Sequence, residues 1–130
     1  MKIGDEVSIP FGPLHAFKHK GVYIGNSHMT GEPVIAHNSK KHRCVSKHSL
    51  TEFSEGKPVS VRTRPTKRNE MEIIAESEKR MGNPYSALKS NCEDFVSDVL
   101  GLNEGSPQRV AWGVIGAIGL LAFLTRSRAA

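Results

Sequence analysis

Cys92 is the residue of this sequence best suited to nucleophilic chemistry, because a helix is predicted to begin beside it. The run Ser90-Asn91-Cys92-Glu93 matches a capping box with Ser90 as the N-cap, and Gly101 is the predicted end of the helix. Unpaired N–H groups and the helix dipole stabilise a thiolate in such a first turn. Cys92 also lies on the apolar stripe of this helix, so a small core residue is the alternative interpretation.

A thiolate nucleophile needs a base and a group that orients the base, and six histidines supply candidates. His19 begins a predicted strand in which His19, Gly21 and Tyr23 share one face, and Gly21 leaves that face room for close approach. His37 lies at the end of the next predicted strand, and adjacent antiparallel strands can bring two such rings together. These residues permit a relay in which Cys92 attacks, His19 removes the thiol proton and His37 orients His19.

A metal site competes for some of the same side chains. His37, His42, Cys44 and His48 are all possible zinc ligands, but their spacing matches none of the usual zinc patterns, and the sequence has no C-x-x-C pair. We therefore expect neither a metal nor another cofactor. A phosphate-binding loop is excluded because no Gly-rich loop ends in Gly-Lys-Ser/Thr. The basic residues between 62 and 68 lack interleaved aromatic residues, so no nucleic-acid partner is expected.

The elements that must position these residues follow the order of strands first and helices afterwards. Composition and periodicity predict strands at residues 7–9, 19–25, 33–38, 43–47 and 58–63, and helices at 70–81 and 91–100. Pro10 is expected to end the first strand, and Asn69 is expected to cap the first helix. This order predicts an α+β fold in which an antiparallel sheet packs on helices.

The chain of 130 residues is long enough for one compact domain. We predict a domain over residues 1–102, a linker over 103–109 and a hydrophobic tail over 110–130. Residues 110–125 carry no charge and would extend about 24 Å as a helix, against about 30 Å for a bilayer core. Flanking arginines can snorkel across such a gap, so we expect this C-terminal apolar helix to anchor the protein to a membrane. A buried helix of the core is the alternative.

Charge is distributed unevenly along the chain. Residues 18–68 contain eleven Lys and Arg against three Glu, whereas residues 70–104 contain three basic and eight acidic residues. The basic half suits anionic lipid headgroups, and a solvated surface of mixed charge is the alternative. Two cysteines and no secretory signal favour a reducing, cytoplasmic compartment for the catalytic domain, and the apolar tail favours a membrane-associated protein.

Several motifs together resemble the lecithin:retinol acyltransferase family, which includes the small Ras-suppressor-type phospholipase/acyltransferases. Residues 90–96 (SNCEDFV) resemble its Asn-Cys-Glu-His-Phe motif, and residues 19–25 (HKGVYIG) and 34–37 (VIAH) resemble its two histidine strands. Gly4-Asp5 resembles the opening of the domain, and Tyr85-Ser86 resembles the segment before the cysteine motif. The order His, His, Cys agrees as well, and the resemblance covers about residues 2–102.

The resemblance implies a circularly permuted papain-like fold with Cys92 as nucleophile, His19 as base and His37 as the third, polarising residue. It implies a thiol-dependent phospholipase A or acyltransferase that acts on phospholipid esters through an acyl-thioester on Cys92. Backbone N–H groups at the start of the Cys92 helix would hold the oxyanion. Asp94 stands where the motif has a histidine, and Phe17 stands where the Ras-suppressor-type members carry a tyrosine.

Two alternatives remain open at the level of sequence. A papain-like cysteine peptidase or amidase would use the same nucleophile on a different substrate, and a non-catalytic membrane adaptor would use only the scaffold. The sequence leaves the acyl position, the acceptor and the oligomeric state undetermined.

Overall fold

The computed structural model describes residues 1–88 and 90–102. In chain order its strands are β1 (Glu6–Phe11), β2 (Phe17–Asn26), β3 (Pro33–Ser39), β4 (Cys44–Ser49) and β5 (Ser60–Arg62). Its helices are α1 (Leu50–Ser54), α2 (Glu70–Lys79) and α3 (Cys92–Leu100), and a 3-10 turn at Pro13–His15 joins the first two strands. The predicted linker over 103–109 and the tail over 110–130 lie outside the described residues. Within the described ranges, no helix has the length and apolar character needed to cross a membrane.

The five strands form one antiparallel sheet in the order β4-β3-β2-β1-β5. Successive residues of a strand point to opposite faces, so the sheet has two differently covered surfaces. Val22 and Ala36 pack on one face against α2 and α3, whereas Tyr23 and Ile35 pack on the other face against Phe53 of α1. The predicted α+β class, with an antiparallel sheet packed on helices, is confirmed.

The strand β1 continues past Pro10, which was expected to end it. Pro10 pairs with Lys18 of β2, and β1 extends to Phe11. On its other side β1 pairs with β5 only as far as Ser8, so no second strand requires a donor from Pro10. The prediction overlooked that a proline is tolerated where a strand has a single neighbour.

The short helix α1 was not predicted, although the sequence carries a signal for it. Ser49 accepts a hydrogen bond from the Glu52 N–H at 3.2 Å, which is the N-cap contact of a Ser-x-x-Glu box. The helix brings Phe53 onto the sheet face that carries the histidines, where its ring lies 5.2 Å from the rings of both His19 and His37. The helix α1 therefore builds one wall of the site.

The helix α3 begins one residue later than predicted, because Asn91 rather than Ser90 is its N-cap. The Asn91 side chain accepts from the N–H groups of Glu93 and Asp94, and the Asp94 carboxylate accepts from the Asn91 N–H. Ser90 instead exchanges two backbone hydrogen bonds with Ser86, so its backbone is committed to the preceding loop. The predicted Ser90–Glu93 box is wrong, and Cys92 is the first residue of α3.

Candidate active site

His19 and His37 are brought into contact by the pairing of β2 with β3. Nε2 of His19 lies 2.9 Å from Nδ1 of His37, which is a hydrogen-bond distance. Gly21 pairs directly with His37, and a Cβ atom at Gly21 would lie 2.5 Å from Cγ2 of Ile35. The absence of a side chain at Gly21 therefore permits the close approach on which this histidine pair depends.

Cys92 begins a helix that lies on the opposite side of the sheet from the histidines. The helix α3 packs on the face of Val22 and Ala36, whereas His19 and His37 point to the other face. Within the described chain, the ladder between β2 and β3 ends at the Gly21–His37 pair, although both strands continue beyond it. Sγ of Cys92 lies 4.0 Å from the carbonyl oxygen of Lys18, which is in the part of β2 beyond this last pair.

Cys92, His19 and His37 line a single pocket of about 170 Å³. Ile9, Phe11 and Phe53 supply an apolar wall, and lysines and glutamates supply a charged rim. In that rim Lys41 pairs with Glu55 at 2.7 Å. The remaining lining residues are Ser39, Lys40, His42, Glu52, Lys57 and Tyr85.

Both histidines of the contact pair are neutral at neutral pH. Burial lowers the pKa of His19 to about 4, because desolvation disfavours the imidazolium, and the charge of Glu55 offsets part of this shift. Burial, together with the neighbouring His19 and His48, lowers the pKa of His37 to about 2. A neutral imidazole keeps the lone pair that a base requires.

Asn38 was missed by the sequence reasoning, although it ties the histidine strand to the cysteine loop. Its side-chain amide is fully buried and donates to the backbone carbonyl and the hydroxyl of Ser90, at 3.1 and 3.2 Å. Ser90 lies two residues before Cys92, so β3 fixes the place where α3 begins. A lone asparagine at a strand end carries no pattern that reveals such a role.

His48 and His42 extend the group of histidines behind His37. Nδ1 of His48 lies 2.8 Å from Nε2 of His37, and the ring of His42 stacks on that of His48 with centroids 4.1 Å apart. Cys44 was also a possible ligand by sequence. In the structure its backbone forms an isolated antiparallel β-bridge with Pro84, and it is not among the clustered residues. The fold thus brings together three of the four residues of that set.

A comparison of the sequence with models of protein families identifies the family of this chain. The family model described as lecithin retinol acyltransferase matches residues 1–102, which contain all the residues of the pocket. The chain belongs to the lecithin retinol acyltransferase family. Membership of the lecithin retinol acyltransferase family indicates activity of the acyltransferase or phospholipase type and a lipid substrate. A search of curated proteins returns no match to this sequence.

Proposed function

We propose that the protein is a thiol-dependent phospholipase A or acyltransferase that acts on phospholipid esters through an acyl-thioester on Cys92. The observation that carries the proposal is the common pocket of Cys92 and the hydrogen-bonded pair His19 and His37. A nucleophile, a base and a group that orients the base are the parts that such chemistry requires. Cys92 lies in the first turn of a helix, and the two histidines lie on an antiparallel sheet. This arrangement supports a circularly permuted papain-like fold.

The proposed reaction assigns one role to each of these residues. Nε2 of His19 contacts His37, so Nδ1 of His19 is the ring nitrogen left to take the thiol proton of Cys92. The thiolate attacks the ester carbonyl, the carbon–oxygen bond breaks, and Nδ1 returns the proton to the departing lysophospholipid alkoxide. Water then gives its proton to Nδ1 and attacks the thioester, which releases the fatty acid and restores the thiol. An amine or alcohol in place of water completes an acyl transfer.

Stabilisation of the oxyanion is assigned differently from the sequence-based expectation. The N–H groups of Glu93 and Asp94 already donate to the Asn91 side chain, so these two amides serve the helix cap. Tyr85 lines the pocket, and burial together with the charge of Cys92 raises the pKa of its phenol. The phenol therefore stays protonated and can donate to the oxyanion. Tyr85 thus supplies a pocket hydroxyl, which Phe17 by its residue type does not.

The dimensions of the pocket suit a substrate that stays in a bilayer. Pockets that enclose whole drug-sized ligands measure about 300–1,000 Å³, whereas this pocket measures about 170 Å³. It has room for the reacting ester and the atoms next to it, while the acyl chains remain in the lipid. Lys40 and Lys57 at its rim suit the phosphate of the headgroup. We therefore place the enzyme at a membrane surface.

We propose that the apolar residues 110–125 hold the protein at the membrane. Neither cysteine forms a disulfide, which suits a reducing, cytoplasmic compartment. Deletion of residues 110–130 should move the protein from the membrane pellet to the supernatant after centrifugation. Pelleting of the deletion variant at the level of the parent would contradict the anchor.

The decisive experiment is intact-mass spectrometry of the full chain, quenched in acid after incubation with phosphatidylcholine vesicles. We expect an added acyl mass that hydroxylamine removes, as a thioester requires. The variant Cys44→Ser is the matched control, because it removes the other free cysteine and should keep the adduct. The variant Cys92→Ser should lose the adduct and the release of fatty acid. Release of fatty acid by Cys92→Ser at the parent rate would refute the thiol mechanism, and turnover of peptides alone would favour a peptidase.

A further inference from the structure

Three histidines from different parts of the chain converge behind the proposed catalytic pair. His37 lies near the end of β3, His42 in the turn that follows, and His48 near the end of β4. Each offers one ring nitrogen, and these three atoms lie within 4.8 Å of one another. We propose that His37, His42 and His48 form a binding site for a divalent first-row transition metal ion, with Zn²⁺ as the expected occupant.

The spacing of the ring nitrogens fits such an ion. A zinc–nitrogen bond of about 2.0–2.1 Å in tetrahedral geometry places two ligand nitrogens about 3.3 Å apart. The observed contact of 2.8 Å between His37 and His48 and the 4.8 Å limit for the set lie on either side of that value. Small rotations of the rings therefore complete a three-nitrogen site with an open fourth position.

The position of His42 is what distinguishes a metal site from a simple hydrogen-bonded pair. The pair of His37 and His48 is satisfied by its own contact, but the ring of His42 makes no hydrogen bond to any side chain in residues 1–88 or 90–102. The turn holds it in place, because the His42 N–H donates to the Ser39 hydroxyl and Arg43 adopts a left-handed conformation. The fold thus presents a third imidazole to the pair.

The chemistry of the ligands determines which ions the site accepts. Three imidazoles and no carboxylate favour Zn²⁺, Cu²⁺ or Ni²⁺ over Mg²⁺ or Ca²⁺, which prefer oxygen ligands. Neither Cys44 nor Cys92 is a member of the set, so the protein should supply only nitrogen ligands to a bound ion.

Metal binding at His37 would also affect catalysis, an inference that rests on the proposed function. A His37 ring that binds metal through Nε2 carries its proton on Nδ1, from which it donates to Nε2 of His19. His19 must then carry its own proton on Nδ1, and this nitrogen can no longer accept the proton of Cys92. The protons move between ring nitrogens through solvent without net gain or loss. Metal binding therefore switches the base off.

The binding test uses the full chain and Co²⁺ as a spectroscopic substitute for Zn²⁺. We expect one ion per chain, visible bands typical of tetrahedral Co²⁺, and no sulfur-to-cobalt charge-transfer band in the near ultraviolet. His42→Ala should weaken binding by at least about tenfold, while His28→Ala, an exposed histidine outside the cluster, should bind as the parent does. Failure of the parent to bind, equal affinity of His42→Ala, or a strong sulfur band would each overturn the site.

The inhibition test measures release of fatty acid against free Zn²⁺. The parent should be inhibited, and His42→Ala should need at least about tenfold more Zn²⁺ for the same fractional loss of its own metal-free activity. Equal sensitivity of both proteins would place the inhibition on the Cys92 thiolate and overturn the proposed switch. A parent that binds Co²⁺ as expected but shows no metal-free activity would contradict the proposed function and leave the metal site supported.

Discussion

The substitution Gly21→Ala tests whether close packing of β2 on β3 holds the two histidines together. The added Cβ would lie 2.5 Å from Cγ2 of Ile35, 2.9 Å from the Ala36 carbonyl oxygen and 3.2 Å from Cβ of His37. Ordinary contacts between carbon atoms are about 3.5–4.0 Å, so the strands must separate locally by up to about 1 Å. Ile35 is fully buried, and a backbone oxygen cannot swing aside, so the strain has no easy release.

Two opposing contributions determine whether Gly21→Ala stabilises or destabilises the fold. Alanine in place of glycine within a strand gains about 0.5–1 kcal/mol, because the unfolded chain loses less freedom on folding. Overpacking a tight core site costs about 1–3 kcal/mol, so we expect the free energy of unfolding to fall by about 1–2 kcal/mol. A displacement approaching 1 Å at His37 should also lower kcat/KM by about 10- to 100-fold.

The assay combines urea unfolding with initial rates of phospholipid hydrolysis under conditions where each variant is folded. Gly31→Ala is the matched control, because its φ of +74° makes alanine strained while no heavy atom of the described residues, apart from Gly31 and its two chain neighbours, lies within 4 Å of the new Cβ. It should lose about 1–2 kcal/mol of stability and keep full activity. Parent-like stability and activity of Gly21→Ala would refute the packing argument. An equal loss of activity in Gly31→Ala would show that the rate follows stability rather than geometry.

Three further predictions concern other parts of the fold and site. Arg64→Met removes the nearer of two cations beside the buried Glu6 carboxylate, at 2.7 Å, and leaves Lys20 at 3.9 Å, so it should cost up to about 3–5 kcal/mol in urea unfolding. Adding Glu6→Gln should recover much of that loss, and a double variant no more stable than the single one would contradict a poorly compensated buried charge as the cause. Asn91→Ala should cost about 1–2 kcal/mol by removing the α3 cap. Asn91→Ser, which keeps a capping oxygen, should lose less, and equal losses would argue against the cap. Tyr85→Phe should lower kcat by about 10- to 100-fold with little change in unfolding, and an unchanged kcat would remove Tyr85 from the oxyanion site.

The strand and helix pattern was predictable because local signals and packing agree. β-Branched and aromatic residues predicted β2 and β3, and Asn69 caps α2 through the Glu72 N–H as expected. Gly101 adopts the left-handed conformation that ends α3, as predicted. The cap of α3 was misassigned because Ser90 and Asn91 are both good N-cap residues, and the choice depends on the long-range contact from Asn38 to Ser90.

The sequence by itself determined the chemistry that is available: a cysteine in the first turn of a helix, and two histidines at strand positions that β pairing can join. Only the tertiary structure decided that these groups share a pocket. The helix α3 packs on one face of the sheet and the histidines point to the other, so alternation along the strands would keep Cys92 apart from them. In the folded chain the ladder between β2 and β3 ends at the Gly21–His37 pair, and Cys92, His19 and His37 line one pocket.

The tertiary structure also decided the cluster of His37, His42 and His48. Its spacing along the chain matches no familiar pattern of ligands, because the three residues belong to a strand end, a turn and the next strand. Strand register places His48 beside His37, and a turn held by Ser39 places His42 over His48. Register and turn geometry depend on pairing across the whole sheet, so they cannot be predicted from short segments of the sequence.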